Sequence, residues 1–111
     1  MTADEFRKIA MSLPEVTEVG HMGHPDFRVS KKIFATLGYP DDAFAMVKLM
    51  PDQQRLFVEQ NPAIFSPAKG KWGLLGSTLV HLAKAKPRAV REATIVAWRN
   101  VASQTLNDAL E

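Results

Sequence analysis

The sequence predicts an α+β domain in which N- and C-terminal helices pack on one face of an antiparallel sheet. Three observations lead there. Helical periodicity lies mainly at the two ends of the chain. Between them, short alternating segments are gathered together and separated by turn formers. Strands and helices do not alternate in the manner of a parallel βαβ sheet.

Thr2 and Glu5 have the spacing of a capping box, in which each side chain satisfies a backbone N–H at a helix start. Phe6, Ile9, Ala10 and Leu13 follow at helical spacing, and Pro14 stops the ladder, which predicts a helix over 3–13. Residues 16–19 alternate, and 27–29 read as a brief strand. Ser30-Lys31 forms a tight turn into a strand over 32–37. Residues 38–42, Gly-Tyr-Pro-Asp-Asp, are dense in turn formers. The strand over 43–49 places Phe44, Met46 and Lys48 on one face and Ala45, Val47 and Leu49 on the other. Pro51 and Asp52 suit a first helical turn, Leu56 and Phe57 its inner side, and Asn61-Pro62 its end. The glycines at 70, 73 and 76 with Pro67 predict a loop or bent hairpin over 66–76. A last strand covers 78–82. Pro87 opens a helix whose buried stripe is Val90, Thr94, Ala97, Trp98 and Val101, fraying beyond Ser103.

The 111 residues fit one domain, 1–111. A hydrophobic share of 46% beside a charged share of 23% reads as globular. The absence of cysteine excludes disulfides, zinc-thiolate sites and a thiol nucleophile, and fits a reducing cytoplasm. No apolar run is long enough to span a bilayer. The acidic opening, Met1 to Glu5, is unlike a signal peptide. These features predict a cytoplasmic protein with no membrane partner.

Net charge is only +2, but its distribution is uneven. No acid occurs between Asn61 and Arg91, a stretch that carries Lys69, Lys71, Lys84, Lys86, Arg88 and Arg91. One side of the molecule is therefore expected to be basic.

His21 and His24 are close in sequence, but a metal site needs three or four converging ligands, and Gly23 and Pro25 break any helix that would align the rings. They read as the bend into the next strand. Ser12, Ser30, Ser66 and Ser77 lack a nucleophile motif, and His81 reads as a sheet histidine. The glycines at 70, 73 and 76 match neither a Walker loop nor a dinucleotide fingerprint. No catalysis, metal or cofactor is expected.

Lys31 and Lys32 occupy a hairpin tip, and Lys69, Lys71 and Trp72 a glycine-rich loop. Basic side chains beside an aromatic on projecting loops suit phosphate contact and ring stacking. They also suit plain edge protection. Arg88 and Arg91 sit in the first turns of the last helix, against its dipole, and a broken local rule can mark function.

Residues 23–29, Gly-His-Pro-Asp-Phe-Arg-Val, followed by Lys32-Ile33-Phe34-Ala35, resemble the MmcQ/YjbR family. So do 13–18, Leu-Pro-Glu-Val-Thr-Glu, and Val47-Lys48-Leu49 with Pro51, Asp52 and Gln54. Trp72-Gly73, Gly76, Thr78 and Ala97-Trp98 fit the same order and spacing. The resemblance implies a frataxin-like (CyaY-like) fold with a double-wing DNA-binding arrangement. On this chain the Lys31-Lys32 turn would be one wing and the loop with Lys69, Lys71 and Trp72 the other. The expected function is non-enzymatic binding of double-stranded DNA with low sequence specificity, Arg88 and Arg91 adding phosphate contacts. The alternative is a protein-interaction module, in which Trp72, Leu74 and Leu75 form an apolar patch for a partner or a second copy. Frataxin-like iron binding calls for an acidic helix face, whereas the first helix carries Arg7 and Lys8 beside Asp4 and Glu5.

Overall fold

The computed structural model describes residues 1–21 and 24–110, the His21 side chain excepted. The first helix, α1 (Ala3–Met11), starts on the expected capping box. Thr2 Oγ1 accepts from the Glu5 N–H at 3.1 Å, and Glu5 Oε1 accepts from the Thr2 N–H at 2.8 Å. The backbone hydrogen bond from Thr2 is the main cause holding the Glu5 carboxyl below its ordinary pKa. The helix ends at Met11, short of the expected Leu13. Pro14 disfavours helical backbone at the residue before it, and the Ser12 hydroxyl turns back onto the Ile9 carbonyl at 2.6 Å.

Six strands form one antiparallel sheet: β1 (Thr17–His21), β2 (His24–Val29), β3 (Lys32–Leu37), β4 (Phe44–Lys48), β5 (Phe65–Pro67) and β6 (Ser77–His81). Their spatial order is β1-β2-β3-β4-β6-β5. The first four form the expected meander. Ser30 and Lys31 both take positive φ, 53° and 67°, as a two-residue hairpin turn requires to match the strand twist. A bulge between Phe27 and Arg28 shifts the β2–β3 register.

The remaining helices are α2 (Pro51–Gln60), α3 (Gly70–Leu74), α4 (Pro87–Val101) and α5 (Gln104–Ala109), with a 3-10 turn over Leu82–Lys84. Three expectations need correction. The segment 66–76 is neither an open loop nor a simple bent hairpin: β5 pairs with β6, and the connection between them winds into α3. The chain does not fray after Ser103 but folds into α5. Ser103 caps that helix by accepting from the Leu106 N–H at 3.3 Å, and Arg99 reaches across to the Asn107 and Leu110 carbonyls. Leu56 is 58% exposed, and the inner side of α2 is carried by Phe57, whose ring meets Phe65 at 5.5 Å.

The core lies between α1, α4 and one face of the sheet. Ala35, Leu37, Ala45, Val47 and Val80 supply the sheet side, and Phe6, Ile9, Val90, Ala93, Ala97 and Trp98 the helix side. Trp98 is fully buried, and its indole N–H donates to the Pro14 carbonyl at 3.0 Å, tying the end of α1 to α4. The alternate residues of the same strands, Thr36, Met46 and Lys48, are only partly buried on the other face. No helix among the described residues is long and apolar enough to cross a membrane.

Candidate nucleic-acid interface

The register brings lysines from distant parts of the chain to one end of the sheet. Val29 pairs with Lys32 around the Ser30-Lys31 turn, Lys48 with Ser77, and Thr78 with Pro67. The β2–β3 turn, the end of β4 and the start of α3 therefore share that end. From β3 across β4 and β6 to β5 is three strand spacings, about 14 Å. Lys31, Lys32, Lys69 and Lys71 are exposed there and Lys48 is half-buried. Among the described residues none of these five is in an ion pair, whereas Lys8, Arg7, Arg28, Arg55 and Arg88 all are. One acid, Glu15, lines a cleft with Thr17, Arg28, Ser30 and Lys31 at the first turn.

Trp72 stands on α3 with 64% of its surface exposed. The Lys48 ammonium lies 5.8 Å from its ring centroid, within range of a cation–π interaction. α3 is only five residues long and is fixed by its surroundings rather than by propensity. A Cβ on Gly73 would lie 1.7 Å from the Ala68 carbonyl oxygen, so the helix can wind this close only with glycine. Gly76, at φ +113°, lets the chain pass against the Leu49 carbonyl as it leaves the helix. Gln54 of α2 donates to the carbonyls of Gly73 at 3.1 Å and Ser77 at 2.9 Å, holding both ends of the exit turn. Beyond Trp72, Leu74 is 80% and Leu75 64% exposed.

Arg88 and Arg91 are not brought to this end. α4 begins beside the 3-10 turn, where the Leu82 N–H bonds the Ala43 carbonyl, and finishes where Asn100 donates to the Lys48 carbonyl at 3.1 Å. Arg88 therefore lies about 18 Å along the helix axis from Asn100. Its charge faces Glu92, 3.6 Å away, which offsets the conflict with the helix dipole.

His24 is partly buried, with its ring 6.5 Å from that of Tyr39. The His21 side chain, Met22 and Gly23 lie outside the described residues, so the His21–His24 pairing does too. Among the described residues no three His, Asp or Glu side chains converge. His81 is exposed at the end of β6 against Phe44, with ring centroids 4.7 Å apart. Ser77 is buried, and Ser30 Oγ accepts from the Ser103 N–H at 3.3 Å.

Sequence reasoning missed Lys48 and Gln54 as parts of this surface. The alternation of β4 already set Lys48 opposite the core. Nothing local linked it to Trp72, or Gln54 to Gly73.

No curated protein matches this chain. Its fold is similar to the crystal structure of a Deinococcus radiodurans protein with a DUF419 domain, at a TM-score of 0.72 and 16% identity, over 98% of this chain and 87% of that one. The YjbR family model matches residues 11–100, which takes in the whole sheet, α2, α3 and nearly all of α4. The chain belongs to the YjbR family.

Proposed function

We propose that the protein binds double-stranded DNA without catalysis and with low sequence specificity, through the lysine-rich end of its sheet. The observation that supports this most is the placement of Lys31, Lys32, Lys48, Lys69 and Lys71 at the end of the sheet that also carries exposed Trp72, with no ion pair among them in the described residues. Free ammonium groups on one end of a rigid sheet suit phosphate contact, and such contacts carry no base information. The two wings differ in form: the first is the β2–β3 turn, the second the helical connection between β5 and β6. On this reading Arg88 and Arg91 lie outside the contact surface. We also propose a frataxin-like (CyaY-like) relationship for the fold, on the strength of its two end helices sharing one sheet face, and a cytoplasmic location.

The test is fluorescence anisotropy of a labelled duplex across a salt series, with wild type and the Lys69→Glu/Lys71→Glu variant. Binding that weakens steeply with salt, and a loss in the variant of about tenfold or more, are expected. Unchanged affinity in the variant would remove α3 from the interface.

A second reading has its own observation. Trp72, Leu74 and Leu75 expose apolar surface on one short helix, as a protein-interaction module would. Sedimentation should then show self-association that Leu74→Lys/Leu75→Lys abolishes, or a partner should be captured only by the unaltered chain.

A further inference from the structure

The sheet face turned away from α1 and α4 carries a pocket of about 340 Å³. Met46 and Leu79, register partners on β4 and β6, form its floor. Tyr39 of the β3–β4 turn and Trp72 of α3 also line it, with Lys69 and with Lys48, whose ammonium lies 5.8 Å from the Trp72 ring centroid. We propose that this pocket binds a small organic anion with a flat apolar body, such as an aromatic carboxylate. The proposal stands whether or not the protein binds DNA.

Size, shape and charge agree. The volume falls in the range of small-molecule pockets, which are mostly apolar with a few placed polar groups. Both aromatics are more than half exposed, so their rings are available to a ligand. A flat ring laid against either of them over Met46 and Leu79 exchanges water for apolar and stacking contacts. The charge of the ligand follows from the lining. It contains two lysines and no carboxylate. The Lys48 ammonium is already placed over Trp72, and its backbone is pinned by Asn100. A cationic ligand would meet uncompensated repulsion at that position, and an anionic one a partner whose stem is already ordered.

The test is an amide and indole NMR titration of the intact chain with indole-3-acetate, naphthalene-2-carboxylate and benzoate. Tryptamine serves as the cation with the same ring system as the first. At least one of the three anions should give saturable shifts at millimolar or lower concentration. These should centre on the Trp72 indole and the amides of Met46, Lys48 and Leu79. Tryptamine should bind at least tenfold more weakly than indole-3-acetate. In Lys48→Gln/Lys69→Gln, whose spectrum reports its own folding, that preference should vanish. No saturable shift from any anion, shifts centred elsewhere, or equal binding of tryptamine by the wild type would overturn the proposal.

Discussion

The two faces of the sheet are built from the same strands and do different work. On β4, Ala45 and Val47 are completely buried beneath the helices, while Met46 and Lys48, which alternate with them, line a pocket. β6 divides in the same way, with Val80 inside and Leu79 beside the pocket. One face therefore carries the core, and the other, left uncovered by α1 and α4, is the one on which we propose binding. The two tryptophans mark the contrast: Trp98 is wholly enclosed and hydrogen-bonded, Trp72 mostly exposed beside a lysine.

The largest expected effect tests that contrast. Trp98→Ala should cost about 3–5 kcal/mol, because it removes a fully enclosed aromatic and leaves the Pro14 carbonyl without its donor. Trp72→Ala should change stability by no more than about 0.5 kcal/mol. Urea denaturation of both variants measures the difference, and equal losses would break the division of labour between the faces.

Gly76→Ala comes next. It forces a side chain into positive φ and sets a Cβ 1.9 Å from the Leu49 carbonyl oxygen. A loss of about 1–3 kcal/mol is expected, together with displacement of α3. The lowered denaturation midpoint should be accompanied by altered fluorescence of Trp72, read in a Trp98→Phe background.

The covered face was the more legible in sequence. The capping box of Thr2 and Glu5, the stripe through Val90, Thr94, Ala97 and Trp98, and the alternation of residues 44–49 are local patterns, and each was realised. The exposed site was much less so. α3 contains two glycines in five residues, below the length at which periodicity speaks, and its helical form depends on Gln54 and on close backbone contacts. β5 is three residues ending in Pro67, tolerable only because it lies at the sheet edge. α5 was missed because its cap and the Arg99–Asn107 contacts draw on side chains usually read as loop formers. The lysines were visible as charges. Their meeting place depends on strand register, which no single segment encodes.

The smallest effect concerns the Thr2–Glu5 box. A carboxyl whose folded pKa is depressed contributes stability above its unfolded value and loses it as pH falls through the folded one. The thermal-midpoint gap between wild type and Glu5→Gln should therefore be present near neutral pH and close in acid. A gap that widens on acidification would contradict the assignment.

The two ends of the sheet give the most direct test of DNA binding. Lys69→Glu/Lys71→Glu and Arg88→Glu/Arg91→Glu change net charge equally but at opposite ends. Their affinities for one labelled duplex, measured by anisotropy at the same salt concentration, separate a local interface from general charge attraction. The account predicts about a tenfold or greater loss for the lysine pair, with the arginine pair within a few-fold of wild type. Equal losses in both variants, or none in the lysine pair, would contradict it.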